Sequence, residues 1–249
     1  MKRYVDIHCH ILPGMDDGAR DLTVVREMLS LAYANGIETI IATPHFGKGF
    51  GYVTSEQIAE KVQQVQQIAE SISPSMKVFP GEELMFQFQL LEQMERREIV
   101  SMAGSRYVLV EFAPGQDYVA IRTAVQELVT MGYWPIVAHI ERYPCFYGKI
   151  HLVRQLIDMG AYIQVNSSGF KKGWLRRDLY FAKRLFNEKL IDFIGTDGHD
   201  STTRKPVFQD FIEYARHNSM ETEVNRLLIR NPEKIICDMP IRTEEQRYT

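Results

Sequence analysis

Residues 4–19 read YVDIHCHILPGMDDGA, and the fold turns on how this stretch is parsed. Tyr4–Ile7 is a β-branched and aromatic run that reads as a strand. His8 and His10 flank Cys9 at its end, so the two-residue period puts both imidazoles on one face and the thiol on the other. Asp21 then caps a helix in which Val24, Val25, Met28, Leu29 and Ala32 follow the 3.6-residue period, and Gly36 closes it. A strand ending in polar residues, a helix and a glycine together make most of one βαβ unit.

The rest of the chain repeats that unit. Strands are predicted at Ile37–Ala42, Val78–Pro80, Tyr107–Phe112, Tyr133–Ala138, Ala161–Val165 and Ile191–Thr196. A helix capped by Ser55 carries Ile58, Val62, Val65, Ala69 and Ile72 on one face and Gln and Glu on the other. Further helices are expected near Phe88–Arg96, Val119–Met131, Leu152–Met159 and Leu179–Glu188, with Gly132 and Gly160 as left-handed caps. Helical patterns near Val207–His217 and Glu221–Ile229 follow the last strand, and Arg242–Thr249 reads as a charged, frayed tail. Strands alternating with helices imply parallel β-structure with right-handed crossovers. Seven units without a linker-like break favour one α/β domain over residues 1–249, a closed or nearly closed barrel. A doubly wound open sheet is the rival.

Composition narrows the function. The chain of 249 residues is 45% hydrophobic and 24% charged, ordinary for a soluble globular protein. Its formal net charge of −3 argues against a protein that coats nucleic acid. Cys9, Cys145 and Cys237 form no C-x-x-C pair, so a disulfide framework is not expected and a reducing cytoplasm is the natural compartment. The start, MKRYVDIHCHILPG, lacks the apolar region of a signal peptide, and no apolar run is long enough to span a membrane.

The chemistry sits where the strands end. His8 and His10 end the first strand, and His45 follows the second in ATPH. Glu82 and Glu83 follow the third, Glu111 lies near the end of the fourth, and His139 ends the fifth. Asp197 and His199 follow the last strand in GTDGHD. In a parallel barrel these places converge on one face, where such folds carry their active sites. A single histidine after a strand is most often a loop or capping residue. Five from distant segments, gathered with carboxylates, would be costly to bury without a cation. His151 and His217 fall inside helical patterns and read as bystanders.

Imidazole and carboxylate ligands without thiolate suit Mn²⁺, Fe²⁺ or Zn²⁺ and argue against a closed structural zinc. The candidates exceed what one ion uses, so two or three divalent ions sharing bridging carboxylates are expected, and metal-assisted hydrolysis is the natural reaction. Arg142 in HIER and Arg204 past His199 could each give a phosphoryl group two parallel hydrogen bonds. A cysteine phosphatase is excluded, because the positions six past the cysteines hold Met15, His151 and Thr243 rather than Arg. Neither a phosphate loop, a nucleophile elbow nor a dinucleotide fingerprint is present. Glu111 and Asn166–Ser167 stand where amidohydrolase barrels carry a modified Lys and a His.

Taken together, DIHCHILPGMDDGA, ATPH, PGEE, VLVEF, AHIER and TDGHD with its later Arg resemble the polymerase-and-histidinol-phosphatase (PHP) superfamily. The nearest likeness is to the bacterial metal-dependent protein-tyrosine phosphatases of capsule and exopolysaccharide operons, the CpsB/YwqE type. The resemblance implies a distorted (β/α)7 TIM-like barrel holding three metal ions, usually manganese. By motif, His8, His10, Asp197 and Glu83 would hold the first ion, with Glu83 preferred over Glu82. Glu83 would bridge to a second ion completed by Glu111 and His139; Asp17, His45 and His199 would hold the third. Arg142 and Arg204 match the family's phosphate-binding arginines. Phe46 and Ile140 depart from the family's usual His and Pro at those places without removing a ligand.

The expected function is therefore hydrolysis of phosphotyrosine in a bacterial tyrosine autokinase, in the cytoplasm, with Asp197 a candidate proton acceptor. The alternatives are a PHP phosphoesterase for a small monoester such as histidinol phosphate, and a metal-holding regulatory subunit without turnover.

Overall fold

A computed structural model describes residues 3–47, 49, 53–96, 98–173 and 176–242. The elements run β1 (Tyr4–Cys9), α1 (Leu22–Ala34), β2 (Ile37–Ala42), β3 (His45–Phe46), α2 (Ser55–Ile72), β4 (Lys77–Phe79), β5 (Glu83–Met85) and α3 (Phe88–Glu95). They continue with β6 (Tyr107–Glu111), α4 (Tyr118–Thr130), β7 (Trp134–Val137), α5 (Ile150–Asp158), β8 (Tyr162–Asn166), α6 (Arg177–Asn187) and β9 (Phe193–Gly195). The chain then turns helical through α7 (Gln209–His217), α8 (Glu221–Asn225), a π-turn at Arg226–Arg230 and α9 (Asn231–Ile236).

Every strand pair is parallel, in the orders β1-β2-β4 and β3-β5-β6-β7-β8-β9. The two sheets belong to one curl. Thr43 N donates to Cys9 O at 2.9 Å and Glu83 N to Pro44 O at 2.9 Å, which carries the pairing across the break after β2. At the other edge Asp197 N donates to His8 O and His10 N to Gly198 O, both at 2.8 Å, and Cys9 bridges Gly198. The segment after β9 thus returns to β1.

The inner face of the curl is stratified, and strand periodicity is the reason. Along β6, Tyr107, Leu109 and Glu111 point inward while Val108 and Val110 join the outer core beneath the helices. Along β8 the inward set is Tyr162, Gln164 and Asn166, against Ile163 and Val165 outside. The lower layer is apolar, with Val5, Ile7, Ile41, Ile136 and Phe193 around Tyr107 and Tyr162. The upper layer is polar. In β1 the register against β2 slips between Asp6 and Cys9. The slip lets Val5 and Ile7 face the lower layer while His8 and His10 face the upper one, the re-aiming a bulge provides.

Several boundaries depart from the sequence reading. Strand two and strand three are interrupted, so His45 and Glu83 sit in two- and three-residue strands rather than in loops. Thr54, not Ser55, caps α2: its hydroxyl takes Gln57 N while the Gln57 side chain returns to Thr54 N, a capping box. Asp21 caps α1 as expected, accepting from Thr23 N and Val24 N. Arg242 is anchored rather than frayed. It donates to Ala161 O, pairs with Asp192 and lies over the Tyr162 ring. The rest of the expected tail, residues 243–249, lies outside the described residues.

Gly195 is fixed by packing. A Cβ there would stand 2.7 Å from His8 Cβ and 2.9 Å from Gln164 Nε2. Gly195→Ala should therefore destabilise the protein by about 1–3 kcal/mol through overpacking. Each kcal/mol is worth roughly 2–4 °C of melting temperature in a chain of this size. Thermal unfolding of the two proteins measures it, and an unchanged midpoint would contradict the close approach.

Candidate metal centre

The strand ends bring nine sequence-selected side chains together at the polar layer. His8 Nε2 lies 3.2 Å from His10 Nε2, 3.3 Å from Glu83 Oε1 and 3.6 Å from Asp197 Oδ1. Glu83 is the centre: His139 Nε2 is 3.0 Å from its Oε1 and His45 Nδ1 is 3.0 Å from its Oε2. Glu111 approaches His139 Nε2 at 3.5 Å and His45 Nδ1 at 3.7 Å. Asp17 stands at the mouth, with its Oδ1 3.4 Å from His45 Nε2 and 3.3 Å from His199 Nε2. Three groups have ligand atoms close enough to share an ion: His8, His10 and Asp197; His45, Glu83 and Glu111; and His10, Asp17, His45 and His199. His151 and His217 are exposed on α5 and α7, outside the gathering.

Two of these side chains are aimed by unusual backbone. His139 has φ 32° and Asp197 φ 53°, the left-handed region that non-glycine residues seldom occupy. Such conformations persist where surrounding contacts over-determine them, typically at functional sites. At His139 the fixing contact is its N–H, donated to Gln164 Oε1 at 2.7 Å; Asp197 N is held by His8 O.

Burial and charge act in opposite directions here. Burial alone would raise the pKa of the Glu83 carboxyl, but His8, His10, His139 and His45 hold it well below the usual carboxylate range. Asp197 is likewise buried yet held well below that range by His8, His10 and Arg142. His10 is raised well above an ordinary imidazole, its desolvation outweighed by Asp16, Asp197 and Glu83. His199 is pushed down to about 3 by burial and by the neighbouring His10 charge. His199 is thus in the neutral form a metal ligand requires, whereas His10 holds a proton that it would give up on binding a cation.

The donor set fits such a cation. Glu83 Oε2 and His199 Nε2 are buried and make no well-aligned hydrogen bond among the described residues, although His45 Nδ1 and Asp17 Oδ1 stand 3.0 and 3.3 Å away. Glu82 Oε1, away from the cluster, is also unsatisfied among the described residues, so what suits Glu83 and His199 to a cation is the other ligand atoms gathered around them.

Sequence reasoning missed the residues behind these ligands. Asp16 Oδ2 lies 2.7 Å from His10 Nδ1 and accepts His45 N at 2.9 Å, so it orients the His10 imidazole and fixes the His45 backbone. Burial raises the Asp16 pKa, but the bonds from His10, His45 and Gly18 bring it down to about 2. Gln164 Oε1 lies 3.3 Å from His8 Nδ1, and its amide donates to Asn166, which in turn donates to Asp197 Oδ2 at 2.8 Å. The visible signal was polar residues on the inward parity of YIQVN. Glu82 turns away from the centre and accepts Val100 N at 2.6 Å, with burial pushing its carboxyl up to about 8.

The two arginines meet at the rim. Arg142 Nη2 donates to Asp197 Oδ2 at 2.6 Å and Arg204 Nη2 to Asp197 Oδ1 at 2.8 Å. Both arginine side chains are partly exposed, at 42% and 40%, at the rim of the site. They line a cleft of about 360 Å³ together with Ser168, Lys171, Thr203 and Lys205.

A curled parallel α/β sheet with histidines, carboxylates and two arginines at its carboxyl edge defines the class of metal-dependent hydrolases that handle anionic groups. The chain belongs to the CpsB/CapC family, described as capsular polysaccharide synthesis, whose model matches residues 4–237. It is 34% identical over 242 residues to the tyrosine-protein phosphatase CpsB of Streptococcus pneumoniae, covering 95% of this chain and 100% of the relative. It is 31% identical to the tyrosine-protein phosphatase YwqE of Bacillus subtilis over 95% of this chain and 93% of that one. A solved structure from work on YwqE and CpsB, described as unique metal-dependent tyrosine phosphatases, superposes with a TM-score of 0.87. It is 29% identical, and the match covers 96% of both chains. The phosphotriesterase homology protein of Escherichia coli shares the fold at 12% identity, with a TM-score of 0.60 over 94% of this chain and 99% of that one.

Proposed function

We propose that the protein hydrolyses phosphotyrosine in a protein substrate, using divalent metal ions at the carboxyl edge of the sheet. The observation that carries this reading is the pair of guanidinium groups resting on Asp197 at the rim of the histidine–carboxylate cluster. End-to-end likeness to tyrosine-protein phosphatases supports it. In fold terms the reading is a distorted (β/α)7 barrel and a single domain over residues 1–249. Counting β2 with β3 and β4 with β5 as interrupted strands leaves seven, and the return to β1 supports closure.

His8, His10, Asp197 and Glu83 would hold one ion. Glu83 would bridge to a second with Glu111 and His139, and Asp17, His45 and His199 would hold a third. Mn²⁺ is the first choice, with Fe²⁺ or Zn²⁺ as substitutes. Such ions, when bound, acidify water and neutralise charge on a phosphoryl group.

Arg142 and Arg204 bind two phosphoryl oxygens and orient the ester, trading their contacts with Asp197 for contacts with substrate. That exchange leaves Asp197 Oδ1 facing His8 and His10 as a ligand of the first ion, a role that competes with taking a proton from the attacking water. Asn166 keeps the other oxygen in place. A phenol, with pKa about 10, leaves far more readily than a serine alkoxide, so phosphotyrosine needs little acid assistance.

The substrate would be a bacterial tyrosine autokinase acting in capsule or exopolysaccharide synthesis. The enzyme's place would be the cytoplasm; among the described residues no helix is long and apolar enough to cross a membrane. Purified protein should carry more than one equivalent of transition metal. It should release phosphate from a phosphotyrosyl peptide, lose that activity on exhaustive chelation and regain it with Mn²⁺. Full activity without metal, or turnover of histidinol phosphate in preference to the peptide, would overturn the reading.

A further inference from the structure

Beside the metal centre, but outside it, α6 presents one face to the loop after β7. Arg177, Tyr180, Phe181 and Arg184 recur on that face at helical spacing. Tyr147 faces them across a groove of about 370 Å³. The Tyr147 and Phe181 rings pack 5.6 Å apart and make its floor. Tyr180 is 67% exposed, more than any other large apolar side chain described.

Charge distinguishes this groove from an ordinary surface fold. Among the described residues, three guanidinium groups line it and no carboxylate does. Arg176 is paired with Asp178, whereas Arg177 and Arg184 have no acidic partner among the described residues. On a chain of net charge −3 this is a local concentration of positive charge. The groove is also tied to the reaction site. Tyr147 donates its hydroxyl to the Glu141 carbonyl at 2.8 Å, next to Arg142, and Arg176 lies within electrostatic reach of Arg142. Lys171 and Lys205 extend the positive rim around the cleft that holds Arg142 and Arg204.

We propose that the Arg177–Tyr180–Arg184 groove binds an acidic segment flanking the phosphotyrosine of the substrate, and so sets which phosphotyrosines are cleaved. The inference rests on the phosphotyrosine reading above. Unpaired guanidinium groups take carboxylates with two parallel hydrogen bonds, and an exposed tyrosine between them gives an aromatic surface for the intervening side chain. The phosphate itself is bound elsewhere, by Arg142 and Arg204, so the groove acts on binding of the flanks and not on the chemical step.

The experiment compares phosphotyrosyl peptides that differ only in flanking residues: neutral, acidic on the N-terminal side, or acidic on the C-terminal side. A small aryl phosphate, p-nitrophenyl phosphate, serves as the control that reaches the metal centre alone. Two exposed charge pairs correspond to about a fivefold preference. One acidic peptide should therefore show kcat/KM about fivefold above the neutral one, through KM, and the preference should shrink as salt is raised. The R177A/R184A protein should lose the preference and turn over p-nitrophenyl phosphate as the parent does, which also shows that it is folded. Parent enzyme that treats all three peptides alike, or a double variant that keeps the preference, overturns the proposal while leaving phosphotyrosine hydrolysis intact. Failure to cleave any of the peptides would instead sink the functional reading on which it rests.

Discussion

His139→Ala should lower kcat by about 1,000-fold or more, with His10→Ala and His45→Ala close behind, while His151→Ala and His217→Ala stay within a few-fold. The scale follows from the several kcal/mol that a correctly held metal contributes to a charged transition state, at 1.36 kcal/mol for each factor of ten. His139 is the sharpest case. Its ring nitrogen is 3.0 Å from Glu83 and 3.5 Å from Glu111, so its loss disturbs both carboxylates proposed to share the second ion. Its left-handed backbone adds a control: Ala at φ 32° is no better suited than His, so relaxation there would show as a stability change. Metal content and thermal unfolding should be measured beside turnover. The expected pattern is metal loss and activity loss in a protein that remains folded. Should His217→Ala prove as damaging as His139→Ala, the claim that position at a strand end marks the working histidines is wrong.

That claim was legible in the sequence because it depends on order alone. A parallel strand ending in His, Glu or Asp delivers its side chain to the same edge whatever the loop beyond it does. His8, His10, Glu111 and His139 needed no more than that, and Ile37–Ala42 was read to the residue. What escaped depends on tertiary detail. β3 and β5 are too short for periodicity to register, because the longer strands are interrupted at Thr43–Pro44 and at Pro80–Glu82. Pro44 has no N–H to donate, yet its carbonyl takes Glu83 N, which restarts the pairing one step later. The left-handed backbones of His139 and Asp197 carry only a weak sequence mark, since His and Asp enter that region more readily than most residues but far less than glycine.

The partners of the ligands were hidden for another reason. The DD pair at 16–17 offers two carboxylates, and spacing alone does not tell which faces the metals. The structure uses both, Asp17 toward His45 and His199, and Asp16 against the far nitrogen of His10. Gln164 and Asn166 lay in plain view at inward positions of a strand. Neither ionises, so a search for charge passed over them. Their contribution is direction: one amide fixes the His139 backbone and approaches His8 Nδ1, the other holds Asp197.

Arg204→Ala should lower kcat/KM roughly 30- to 1,000-fold, the usual result of losing one charged contact worth about 2–4 kcal/mol in the transition state. The side chain is well prepared for that role. Asp200 accepts the N–H groups of Thr202, Thr203 and Arg204, and the Arg204 carbonyl takes His199 N at 2.8 Å, so the loop that presents the guanidinium is fixed before substrate arrives. In the resting protein that guanidinium donates to Asp197 Oδ1 at 2.8 Å. A ground-state phosphate must compete with this carboxylate, and the balance shifts toward the phosphoryl group as negative charge builds on its oxygens. The effect should therefore fall on kcat as well as KM. Lys should restore only part of the loss, because an ammonium cannot make two parallel bonds to phosphate. Inorganic phosphate should inhibit the Ala variant more weakly, while metal content stays near the parent value because Arg204 is not a ligand. Unchanged kcat/KM together with unchanged phosphate inhibition would mean that Arg204 only caps Asp197, and that Arg142 alone meets the substrate.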